Sequence, residues 1–87
     1  MPELKIGSVV QNISGHDEGF FVVVKIDNSF VYIANGKSRL LEKPKKKNLK
    51  HIRLSGTVLE LKRMETNKKL KKALWPFNYG GLTPSDD

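Results

Sequence analysis

The chain has no cysteine, two histidines, one tryptophan and two methionines among its 87 residues. Without cysteine there is neither a disulfide framework nor a thiolate metal site, a composition that suits a reducing cytosol. His16 and His51 lie far apart in sequence, and Asp17 and Glu18 form a single local acid pair. These residues supply neither a convergent ligand set nor a nucleophile within reach of a base. The segment from Gly15 to Gly19 lacks the strand-to-helix context of a phosphate-cradling loop. No catalytic residue, metal or cofactor is therefore expected. No apolar run approaches the roughly 18 residues of a membrane span, and Lys5 and Gly7 interrupt what would have to be a signal peptide. The expectation is a soluble, cytoplasmic monomer with no membrane partner. A chain this short makes one domain that buries only about 60 to 65% of its unfolded surface, which leaves little core for an enclosed site.

Positive charge is what the chain has in excess, and it is concentrated. Residues 37–72 hold fourteen of the sixteen Lys and Arg against three acids, Glu42, Glu60 and Glu65, a net of +11; the whole chain carries +7. The densest part is Gly36 to His51, where Lys37, Arg39, Lys43, Lys45, Lys46, Lys47 and Lys50 face the single acid Glu42, with Leu40, Leu41 and Leu49 as anchors. Like charge at this density repels itself unless a polyanion neutralises it, and an asymmetric basic field is the footprint of nucleic-acid binding. A solvated surface is the ordinary reading of a lysine run. The interleaved leucines and a second basic segment, Lys68, Lys69, Lys71 and Lys72, weigh against it here.

Along the chain, Ile6 to Ile13 reads as a short strand in which either Val9 or Val10 faces inward. Ser14 to Gly19 is a polar loop whose glycines serve a sharp turn in preference to ligand contact. Phe20 to Asp27 is the clearest strand, with Val22, Val24 and Ile26 on one face and Phe21, Val23 and Lys25 on the other. Phe30 to Ala34 is another, and Asn35-Gly36 signals a tight hairpin from which Lys37 to Glu42 returns antiparallel. Pro44 stops that strand, Lys45 to Lys50 is expected as a loop or one 3₁₀ turn, and His51 to Leu54 makes the last strand. Thr57 to Arg63 fits a helical turn or a strand extension equally. Thr66 is placed to cap a helix from Asn67 to Leu74, with Leu70, Ala73 and Leu74 on one face and Pro76 closing it. Lys68 and Lys69 stand at the wrong end of that helix for its dipole. The expected fold is mainly β: a small antiparallel barrel over residues 1–56, a helical extension over 57–79 packed on it, and a flexible tail over 80–87. Trp75, Phe77 and Tyr79 either fold back over Phe21 and Val23 or stack on bases.

The run Gly7-Ser8-Val9-Val10, then Ser14-Gly15-His16-Asp17-Glu18-Gly19, then an apolar strand, resembles a KOW motif, the strand-loop-strand element of SH3-like barrels in ribosomal and transcription-elongation proteins. Its continuation through Asn35-Gly36-Lys37-Ser38-Arg39 to Lys43-Pro44-Lys45-Lys46-Lys47 and Leu49-Lys50-His51 is similar to small bacterial KOW-domain RNA-binding proteins, which resemble large-subunit ribosomal proteins of archaea and eukaryotes. The match covers roughly residues 4–54, with a weaker echo over Thr66 to Leu74. His16 and Glu18 stand where that family commonly has basic residues, and Asn35 where it has aspartate. The resemblance implies an SH3-like barrel, ribosome association, and RNA contacts from Ser14, Gly15 and His16 in the loop.

The sequence thus points to an RNA-binding protein that docks on structured RNA, ribosomal RNA foremost. Its expected contacts are Ser14, Gly15, His16, Lys37, Arg39, Lys43, Lys45, Lys46, Lys47, Lys50, His51, Lys68, Lys69, Lys71 and Lys72. His51 serves either as a phosphate donor or as a structural hydrogen-bonding residue at a strand start. The rival is a protein-interaction module of the transcription or translation machinery, with ribosomal or transcription proteins as partners and the apolar surface around Phe20 and Phe21 as its site.

Overall fold

The computed structural model describes residues 4–13 and 19–79, without the side chain of Tyr79. Among these residues five strands form one antiparallel sheet: β1 (Ser8–Asn12), β2 (Phe20–Asp27), β3 (Phe30–Ala34), β4 (Lys45–Asn48) and β5 (Ile52–Val58), in the order β4-β3-β2-β1-β5. A 3₁₀ turn at Leu49–His51 joins β4 to β5, a second lies at Leu61–Arg63, and one helix, α1 (Asn67–Tyr79), follows. The fold is mainly β with a short C-terminal helix, as the residue pattern implies. Among the described residues the sheet does not close into a barrel: β4 and β5 are its two edges. Both alternatives for Thr57 to Arg63 occur, strand to Val58 and then a helical turn. The expected tail, 80–87, lies outside the described residues.

Alternation along the strands gives the sheet two apolar sides. Val9, Val22 and Ala34 form one buried cluster with Leu70 and Leu74 of α1, and Val10, Phe21, Val23, Val31 and Ile33 form the other, closed by Leu4, Ile52 and Leu54. Val9 and Val10 are both fully buried, one in each cluster, so the choice between them is no choice. β2 is sandwiched, as its doubly apolar pattern requires. The helix nevertheless covers Phe20 and Val22, not Phe21 and Val23: the Phe77 and Phe20 ring centroids are 5.6 Å apart, while Phe21 lies in the second cluster. A bulge at Val24 also shifts the phase of β2, pairing Val23 with Ile33 but Lys25 with Tyr32 and Ile26 with Val31. The extra residue turns Lys25 and Ile26 to the faces opposite those that strict alternation assigns.

The helix runs three residues beyond Pro76, where the sequence suggests it should end. Pro76 lacks the N–H that would bond the Lys72 carbonyl, and its ring crowds that carbonyl, at a cost of about 3 kcal/mol in a helix interior. Tertiary contacts hold the last turn in place. The Asn78 side chain clasps the backbone of Phe20, accepting from its N–H at 2.7 Å and donating to its C=O at 3.4 Å, beside the Phe77 and Phe20 rings. At the other end Thr66 caps the helix as expected, its hydroxyl accepting the Lys69 N–H at 3.2 Å.

Candidate nucleic-acid interface

The basic segment does not form the returning strand expected for Lys37 to Glu42. Asn35 instead ties the chain into a knot: its side-chain oxygen accepts the N–H groups of both Lys37 and Arg39 at 2.9 Å, and its amide donates to Ser38 Oγ at 3.1 Å. The backbone closes the same loop, with the Asn35 and Gly36 N–H groups donating to the Arg39 carbonyl at 2.8 and 3.0 Å. These local bonds satisfy the groups that a β ladder would have used. The loop is then stapled to α1. Asn67 accepts the Leu41 N–H at 2.7 Å and donates to both Glu42 carboxylate oxygens at 2.9 and 3.0 Å, and Leu41 enters the helix-side cluster. Lys37 and Arg39 are thereby held beside the first turns of the helix, which carry Lys68, Lys69, Lys71 and Lys72, all exposed.

Where a loop or one 3₁₀ turn is expected over Lys45 to Lys50, Lys45 to Asn48 is a strand, and the 3₁₀ turn comes only at its end, from Leu49. Pro44 sits just before it, where no ladder donor is needed, and four polar residues suffice because the strand lies at an edge. The register pairs Lys45 with Ile33, Lys46 with Tyr32 and Lys47 with Val31. Lys45 and Lys47 therefore lie half-buried on the second cluster's side, opposite Ile33 and Val31 across the ladder. Lys46 stands on the opposite face, its ammonium 4.5 Å from the centre of the Phe30 ring. Lysine on an edge strand also discourages edge-to-edge pairing, which gives the run a structural use of its own.

At the end of β4, Asn48 caps the 3₁₀ turn by accepting the Lys50 N–H at 3.0 Å, and the Leu49 N–H donates to the Ser29 carbonyl at 3.0 Å. Lys50 and His51 project from this anchored corner, both exposed. The structural role foreseen for His51 belongs to its backbone, whose carbonyl accepts the Ile13 N–H at 2.9 Å. Lys43 is exposed ahead of Pro44. Ser14, Gly15 and His16 lie outside the described residues. The expected single strip is therefore three groups: Lys37 and Arg39 with the helix lysines; Lys46 on the helix-side face of the sheet; and Lys45 and Lys47 on the other face, with Lys50 and His51 at the corner.

Part of this charge has no counter-charge close by. Among the described residues, Lys43, Lys45, Lys46, Lys50, Lys68, Lys69 and Lys71 form no ion pair, while Glu60 is engaged by Arg63 at 3.1 Å, both well exposed. Among the described residues no group of three His, Asp or Glu converges as a metal site, and no helix is long and apolar enough to cross a membrane. The apolar surface suggested for protein binding is used internally, since Phe21 is fully buried and Phe20 packs on Phe77.

Three residues that the sequence pattern does not single out join the basic surface. Lys25, Phe30 and Tyr32 share the helix-side face with Lys46, and the Lys25 ammonium stands 5.4 Å from the centre of the Tyr32 ring. Alternation alone places Phe30 and Tyr32 together. Bringing Lys25 to them takes the bulge at Val24, for which the residues give no signal. No protein-family model matches the chain, and no curated protein matches it in sequence.

Proposed function

We propose that this chain is an RNA-binding module of the KOW class that docks on structured RNA, with ribosomal RNA the foremost candidate, in the cytoplasm. The observation that carries the reading is the set of exposed lysines without ion-pair partners among the described residues, mounted on anchored elements instead of a free tail. Lysines mounted on an anchored backbone can meet a phosphate run without first ordering the chain that carries them, and each phosphate neutralised releases condensed counterions. The same contacts fix register and orientation on the RNA without reading its sequence. Resemblance of the segments around Gly15 and Lys45 to KOW proteins supports the same class.

The test is a salt titration against a structured ribosomal RNA fragment. With about five to seven phosphates engaged, log affinity should fall against log salt with a slope of roughly −3.5 to −6. A slope shallower than about −2 overturns the reading in favour of an apolar protein interface, which responds little to ionic strength. Replacing Lys45, Lys46 and Lys47 together with Gln should weaken binding to unrelated structured RNAs about equally and flatten the slope.

A further inference from the structure

Helix α1 covers only part of its side of the sheet. Ala34 lies beneath it, fully buried, whereas Tyr32 and Phe30, two and four residues back on the same face of β3, emerge progressively, Phe30 to 36% exposure. Tyr32 is flanked directly across the ladder by Lys25 on β2 and Lys46 on β4, which makes a Lys-Tyr-Lys row over three adjacent strands. The next row outward is Asp27, Phe30 and Asn48. Two rings about 7 Å apart along a strand, with a cation on either side of one of them, form a surface whose chemistry is complementary to a π-face joined to a phosphate.

We infer that this open half of the sheet is a stacking platform for unpaired nucleotides: two successive bases lie on Tyr32 and Phe30, and Lys25 and Lys46 take the adjoining phosphates. The inference rests on the RNA-binding reading and names the part of the RNA that this face takes. A duplex presents phosphates but hides its base faces, so it can use the lysines and not the rings. Each ring now carries a lysine ammonium above it, at 5.4 Å for Tyr32 and 4.5 Å for Phe30. An exposed cation–π contact is weaker than a base stacked on an aromatic ring, so a base displaces the ammonium, which swings on its flexible stem to the phosphate. Asp27, opposite Phe30, repels phosphate from the outer row and biases the backbone toward the Lys25 and Lys46 row.

The experiment compares three polyanions on the full chain: single-stranded oligouridylate, an RNA duplex with the same number of phosphates, and linear polyphosphate. Phe30→Leu and Tyr32→Leu keep apolar bulk on the strand and remove the ring. Each should lower affinity for the single strand by roughly 5- to 150-fold, with an unchanged salt slope and with duplex and polyphosphate affinities held within about twofold. Phe30→Trp should retain single-strand affinity. Thermal melts of each variant separate lost binding from lost fold. Leucine variants that bind the single strand as well as the parent, or that lose all three polyanions equally, overturn the platform. So does a Phe30→Trp variant that folds yet loses the single strand. Poly-glutamate binding weakened by the leucine variants as much as RNA binding overturns it in favour of an acidic protein partner. If the parent binds structured RNA with a steep slope but prefers no single strand, the platform fails alone; if it binds no RNA, the RNA-binding reading fails with it.

Discussion

Gly36 and Gly56 both hold left-handed backbones, with φ of +77° and +90°, but in different surroundings. A Cβ on Gly56 would meet nothing within 4 Å, whereas one on Gly36 would run into the Asn67 carbonyl oxygen and stand 3.0 Å from the Lys71 nitrogen. The pair separates backbone strain from crowding. Gly56→Ala should cost about 1–2 kcal/mol from the left-handed conformation alone. Gly36→Ala should add about 1–3 kcal/mol of overpacking, because backbone cannot rotate aside as a side chain can. Thermal melts check the ranking, at about 4–8 °C per kcal/mol for a domain of this size; equal losses would mean that the loop and helix do not meet at Gly36. Asn35-Gly36 was legible as a turn. Its use as a loop knot against a helix was not, since Asn67 lies thirty-one residues further on.

Among the elements, α1 shows most clearly where local rules stop. Its start was readable because Thr66 and the residues it caps are adjacent in sequence. Its end was not, because the clasp of Asn78 on Phe20 spans 58 residues. β2 and β3 were readable to the residue from their β-branched and aromatic runs, but the faces of β2 only as far as Val23, where the bulge begins. β4 gave no sign at all: Lys-Lys-Lys-Asn has neither alternation nor β propensity, and it becomes a strand because β3 offers a free edge, with Ile33 and Val31 opposite Lys45 and Lys47. The helix supplies a prediction in the stabilising direction. Pro76 is exposed, so Pro76→Ala removes little packing, restores the bond to the Lys72 carbonyl, and should raise stability by about 1–3 kcal/mol in urea melts. A loss would show that the ring itself supports the fold. Asn78→Ala should act the other way, by about 1–2 kcal/mol, and speed amide exchange beyond Trp75.

For the whole molecule, the amount of charge and its place in the chain were plain from the sequence, but its distribution over two faces and a corner was not. A strand sends consecutive lysines to opposite sides, and nothing in a run of three lysines announces a strand. The helix lysines and the Lys37 loop share one region because Asn67 joins them, so their contribution is best tested as a group. Replacing Lys68, Lys69, Lys71 and Lys72 with Gln keeps helix propensity and leaves Trp75 and Phe77 in place. If this region meets phosphate together with the sheet, affinity should fall and the salt slope should flatten by about 0.7–0.9 for each phosphate that the variant fails to neutralise. Unchanged values would make the helix an exterior scaffold and shrink the interface to the segment from Lys37 to His51.

The helix-side cluster draws Val9, Val22 and Ala34 from the first part of the chain but Leu70 and Leu74 from near its end. During synthesis, at ~5–20 residues per second, the stretch from Ala34 to Leu70 takes roughly 2 to 7 seconds to appear. Throughout that interval the nascent sheet has no helix to cover this side. Val9, Val22 and Ala34 are made before the two helix side chains that complete their cluster, and until Leu70 and Leu74 follow only the residues made earlier, such as Leu41 and Leu59, can shield that side.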